Sequence, residues 1–171
     1  YAVALTYAAV VTPEGLRRAA NIPGVVKIYA NRNLILEPRR LDSLGMMRGQ
    51  AYPYDMLQVG YDKMNAQFPE LTGKGVTIGS VDTGVDGIHP ALQGKIKLFY
   101  DGKTRKPTEP YDSDEHGTHT AGTMVGTGQN GVPMGMAPQA QLIASGPLGG
   151  YDMMLDCMEF LLDPDQNPST N

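Results

Sequence analysis

Val81-Asp82-Thr83-Gly84-Val85-Asp86 follows Gly75-Val76-Thr77-Ile78-Gly79-Ser80, a run rich in β-branched residues, and its reading decides the fold. β-branched side chains pack well on a pleated surface, so the run predicts a buried strand that ends where Gly84 turns the chain. Asp82 then stands at the carboxyl end of a strand, the place where open α/β sheets put their chemistry. Working outward, Asp114-Glu115-His116-Gly117-Thr118-His119-Thr120-Ala121-Gly122 opens on acids and continues with small residues. Acids suit the positive end of a helix, and Gly and Ala let two backbones come close, so a helix is predicted over about 116–125. A strand-end carboxylate and an imidazole at a helix start are two parts of a nucleophile-activating set.

The rest of the chain fits around that pair. Ile96 to Tyr100 and Ala140 to Ser145 read as further apolar strands, and Tyr151 to Leu162 carries Met154, Leu155, Met158, Leu161 and Leu162 at helical spacing. Between them lie a charged, proline-containing surface loop over 101–114 and a Gly-rich loop over 126–135. Alternating strands and helices predict a parallel sheet with right-handed crossovers. The last helix returns to no strand, so that sheet is expected to be unfinished.

Residues 1–39 read as a unit of their own: a β-rich stretch to Thr12, a short helix with Thr12 as cap and Pro13 in its first turn, and a strand over Val25–Ala30 continued through 34–36. Residues 40–50 turn polar and form a linker, and 51–171 is the second unit, starting with one or two short helices that end at Pro69.

Composition limits the function. A net charge of -4 with no Lys/Arg block argues against nucleic acid and anionic membranes as partners. The longest apolar run, Ala2 to Val11, is interrupted by Thr6 and Tyr7, too short to span a bilayer, and without the basic lead-in of a signal peptide. Cys157 is the single cysteine, which excludes an internal disulfide and a Cys-based zinc site.

Taken together and in order, Asp82-Thr83-Gly84 with His89-Pro90, His116-Gly117-Thr118-His119 with Ala121-Gly122-Thr123, and Gly135-Met136-Ala137-Pro138 resemble the subtilisin-like serine proteases. Ile22-Pro23-Gly24-Val25-Val26 is similar to the second half of that family's inhibitory propeptide. The resemblance implies an incomplete α/β parallel-sheet catalytic domain, a partial α+β ferredoxin-like propeptide before it, and a polypeptide substrate. Carried over by position, Asp82 orients an imidazole and His116 is the general base. Gly149, Gly150 and Tyr151 lie where the family lays an extended substrate strand against the enzyme; a strand-to-helix turn needing positive φ is the alternative. A secreted or extracellular location is likewise what the resemblance implies.

The chain departs from the family at its nucleophile, and its propeptide-like part is still joined to the catalytic part. No Gly-Thr-Ser-Met-Ala motif occurs, and Ser43, Ser80, Ser113, Ser145 and Ser169 all stand in other contexts. The nucleophile and the oxyanion Asn are therefore expected on residues outside this chain, as in a nicked, split or truncated enzyme, and the chain alone is expected to be inactive. Two other readings stand beside this one: a non-catalytic, propeptide-bearing fragment acting as inhibitor or assembly partner, and a metal-dependent hydrolase using Asp82, His116 and His119. His119 is otherwise a structural histidine, His89 a turn residue and Asp86 a turn cap. Asp112, Asp114 and Glu115 either attract basic substrate residues or dress a helix start. No cofactor is expected. Some family members bind calcium near the His-Pro turn, but Ala91 stands near the first ligand position and the loop Thr127-Gly128-Gln129-Asn130-Gly131 offers only neutral groups.

Overall fold

The computed structural model describes residues 6–35, 51–128 and 131–167. Its centre is a four-stranded sheet in the order β1-β4-β2-β3, built from β1 (Thr77–Val81), β2 (Ile96–Asp101), β3 (Lys106–Pro107) and β4 (Gln141–Gly146). β4 pairs in parallel with both β1 and β2, and only the short β3 is antiparallel. The parallel core of this α/β sheet is what the sequence predicts, and the antiparallel β3 makes the sheet mixed.

β4 shows why the sheet takes this shape. Leu142, Ile143, Ala144, Ser145 and Gly146 are all buried, as a strand covered on both faces requires. Because side chains alternate along a strand, Leu142 and Ala144 join Val85, Leu92, Phe99, Ala121 and Val125 on the side of α4 (His116–Val125). Ile143 turns the other way, onto Tyr100, Cys157 and Phe160 on the side of α5 (Tyr151–Leu162). Each fully buried aliphatic side chain of this kind contributes roughly 2 kcal/mol.

Three expectations are corrected. β1 is the edge of the sheet and only half-covered, because among the described residues it pairs with β4 alone. On α5 the core face is Cys157 and Phe160; Met158 and Leu162 face solvent. The loop over 101–114 contains β3, which polar Lys106 and Pro107 gave no reason to predict.

Of the first unit, α1 (Pro13–Ala19) forms as read, with the Thr12 hydroxyl capping Gly15 N at 3.1 Å. Its flanks do not form strands: residues 6–12 and 25–30 join no ladder, and Val10 and Val26 are fully exposed. A strand needs a neighbour to take its N–H and C=O groups, and none lies beside them among the described residues. The predicted linker lies outside the described residues. α2 (Tyr54–Gln58) and α3 (Tyr61–Gln67) follow it, anchored by buried Met56 and Tyr61, and α3 closes before Pro69.

Candidate active site

Asp82 is the first residue past β1, and His116 is the first of α4. The main chain holds Asp82 in line with the sheet, its N–H donating to Ser145 O at 3.0 Å. Gly117 then brings the helix start against the strand end: a Cβ at 117 would lie 1.9 Å from Gly84 O, so no other residue permits this approach.

The result is a direct contact between His116 Nδ1 and Asp82 Oδ1 at 2.7 Å. A carboxylate only accepts, so Nδ1 carries a proton and, in the neutral ring, the lone pair is on Nε2. Asp82 is buried, and both of its carboxylate oxygens are engaged. Thr83 N donates to Oδ1 at 2.7 Å, and Thr120 Oγ1, one turn along α4 from His116, donates to Oδ2 at 3.0 Å. Neither oxygen is left to rotate away from the imidazole.

A second carboxylate fixes the frame. Asp112 Oδ1 accepts from Thr83 Oγ1 at 2.6 Å and Asp114 N at 3.1 Å; Oδ2 accepts from Thr118 N at 2.7 Å and Thr118 Oγ1 at 2.5 Å. Thr83 Oγ1 in turn accepts from Gly117 N at 2.8 Å. Burial opposes the charge on Asp112, but the hydrogen bonds from Thr118, Thr83 and the backbone outweigh it and hold its carboxyl below the usual carboxylate range. Asp112 thus ties the strand end to the helix start and has no oxygen open to a basic substrate residue. The sequence reading missed this role, and it missed Thr83, Thr118 and Thr120. The available signal was a hydroxyl beside Asp82 and two more at the second and fourth residues after His116.

The other candidates separate. Asp86 caps its turn by accepting from Ile88 N, and His89 Nδ1 accepts from Ala91 N. His119 is exposed, and among the described residues no three metal-ligating side chains converge, so Asp82, His116 and His119 do not form a metal cage. At the His-Pro turn Ala91 brings no side-chain oxygen, and its carbonyl accepts from Thr127 N at 2.9 Å. Ser113 Oγ donates to Thr83 O and Ser145 Oγ to Ser80 O, so neither hydroxyl is turned to His116.

Gly149 and Gly150 lie between β4 and α5, and residues 31–35 run beside them. Leu34 N donates to Gly149 O at 2.9 Å, and Asn33 pairs antiparallel with Gly150. Neither glycine has positive φ, so the turn alternative does not account for them. Tyr151 begins α5 exposed, while the polar contacts to residues 31–35 come from its neighbours Gly149 and Asp152.

An imidazole held by a carboxylate at one nitrogen, at the carboxyl edge of a parallel sheet, is the arrangement of one class of nucleophile-activating sites. Comparison with known proteins narrows the class: residues 73–158 match the subtilase family (peptidase S8), and the chain belongs to it. It is 51% identical over 75 residues to the serine protease AprX of Bacillus subtilis, across 43% of this chain and 16% of that protein. To the thermophilic serine proteinase of Bacillus sp. strain AK1 it is 32% identical over 133 residues, across 74% of this chain and 33% of the relative. The chain therefore spans no more than a third of the length of either relative. In fold it is similar to the CspB protease of Clostridium perfringens, with a TM-score of 0.52 at 22% identity over 65% of this chain and 30% of that one.

Proposed function

We propose that this chain supplies the base and its orienting carboxylate to a serine endopeptidase, and that the hydroxyl nucleophile and the oxyanion donor come from residues outside it. The observation that carries the reading is the 2.7 Å contact of His116 Nδ1 with Asp82. A serine hydroxyl is a poor nucleophile near neutral pH. Nε2 of His116 takes its proton as it attacks the peptide carbonyl, then returns that proton to the leaving amine. Asp82 keeps the proton of Nδ1 in place through both steps and stabilises the imidazolium between them. Among the described residues β1 pairs on one side alone, which supports a partnering polypeptide that continues the sheet there.

In the same reading Gly149 and Gly150 hold the substrate as an added strand, main chain to main chain. Support comes from residues 31–35, which already lie there in that manner. Residues 1–39 are then an inhibitory propeptide whose tail occupies the peptide edge, so the chain is a precursor at that junction. That contact also favours the inhibitor reading of the fragment, which differs only in whether hydrolysis follows. No helix among the described residues is long and apolar enough to cross a membrane. An extracellular place of work belongs to the proposal, although the relatives include the major intracellular serine protease of Bacillus subtilis.

The test is peptide hydrolysis by material in which this chain is accompanied by its serine-bearing remainder. His116→Ala and Asp82→Asn should each lower kcat by about 10^4-fold or more, a magnitude taken from well-studied triads that include this same family and not worked from this structure. Hydrolysis unchanged by either substitution would refute the assignment.

A further inference from the structure

Asp152, in the first turn of α5, meets the segment on the glycine edge through its side chain. Asn31 Nδ2 donates to Asp152 Oδ1 at 2.6 Å, and Asp152 N donates back to Asn31 Oδ1 at 3.4 Å. Both ends of one carboxamide are therefore read, across 121 positions of sequence. The other oxygen, Oδ2, receives Arg105 Nη2 at 3.2 Å. Arg105 is itself steadied by Asp156, whose Oδ2 lies 2.9 Å from Nε, a charge contact in which the N–H is not aimed for a hydrogen bond. Gly150 leaves the passage: a Cβ there would lie 2.7 Å from Asn31 Nδ2, from Asn31 Oδ1 and from Asp152 Oδ1. Asn31 and Asn33 are two apart, hence on the same face of an extended chain, and Asn33 is the residue paired with Gly150.

We propose that Asp152, held by Arg105 and reached over Gly150, forms a side-chain subsite for the neutral carboxamide of an extended peptide, two residues before the one that pairs with Gly150, and that Asn31 is its built-in occupant. The proposal rests on the reading of Gly149 and Gly150 as a peptide-binding edge. The chemistry selects the class of occupant. Aspartate would set carboxylate against carboxylate. Alanine would leave both partners unmatched. A lysine would bring no acceptor for Asp152 N, so half of the two-way contact would be lost.

Hydrogen exchange of the Leu34 amide in the 171-residue chain tests this, because that N–H is protected only while the segment lies on the edge. The amides of β4 serve as the control for folding. Asn31→Ala should lower Leu34 protection about tenfold, and Asn31→Asp further, since a hydrogen bond to a charged group is lost and repulsion is added. Combining Asn31→Asp with Asp152→Asn exchanges the two groups and should restore protection. If Leu34 is protected in the parent but indifferent to Asn31→Asp, the subsite is overturned and the edge survives. Failure of Asp152→Asn to restore protection overturns Asp152 as the reader. A Leu34 amide that exchanges freely in the parent overturns the edge and the subsite together.

Discussion

Gly117→Ala puts the account of the site to a severe test, because it adds one methyl group and touches neither Asp82 nor His116. The new Cβ would lie 1.9 Å from Gly84 O, where real Cβ contacts do not fall below 3.0 Å, so strand end and helix start must separate by at least about 1.1 Å. The obstacle is backbone, which cannot rotate aside. His116 is the adjacent residue, and a displacement of that size directed along the contact takes Nδ1 from 2.7 Å to about 3.8 Å from Asp82, beyond a hydrogen bond. It also pulls Gly117 N off Thr83 Oγ1, where it sits at 2.8 Å. Overpacking of this kind costs about 1–3 kcal/mol. Urea unfolding should show that loss as a lower midpoint with unchanged slope, and the downfield Nδ1 proton of His116 should disappear from the NMR spectrum. A Gly117→Ala chain that keeps its midpoint and that resonance would refute the claim that close backbone approach sets the dyad.

Three further outcomes follow from the same geometry. Thr120→Val keeps the shape but removes the donor to Asp82 Oδ2, so urea unfolding should register a loss of about 1–3 kcal/mol; an unchanged midpoint would mean that this bond holds nothing. Asp112 and Asp101 both sit below their ordinary range, burial being outweighed in each by donated hydrogen bonds, led by Thr118 for the first and Lys103 for the second. Their stabilisation is complete above the unfolded value of about 3.9 and is lost as pH falls through the folded values, so the urea midpoint should drop as pH falls below about 4 and drop less in Asp112→Asn. Burial raises the Cys157 thiol, with Ser145 opposing only in part, so alkylation of the folded chain should be on the order of a hundredfold slower than in urea.

Much of the fold was legible where a single physical pattern ran without interruption. The β-branched run before Asp82, the small residues after His116 and the apolar helix over 151–162 give elements that start and stop within a residue or two of the reading. Partners were not legible. Periodicity says that a segment has an apolar face but not what covers it, so it predicts a buried β1 and a strand at Val25–Ala30, whereas among the described residues β1 is an edge and Val25–Ala30 joins no ladder. The pair Asp82 and His116 could be found because each stands at the start or end of an element. Asp112 could not, because its meaning lies in four donors gathered from Thr83, Asp114 and Thr118. The contact of Asn31 with Asp152 lay further out of reach, joining two polar residues that have no shared motif.

The central claim is that a carboxylate and an imidazole in this chain activate a hydroxyl supplied by another stretch of polypeptide. Fluorophosphonate labelling of material containing this chain and its serine-bearing remainder measures that activation most directly, since the probe reacts only with an activated serine. The account predicts labelling on the remainder and not on this chain, abolished by His116→Ala and sharply reduced by Asp82→Asn. Labelling of equal strength in the His116→Ala material would contradict it.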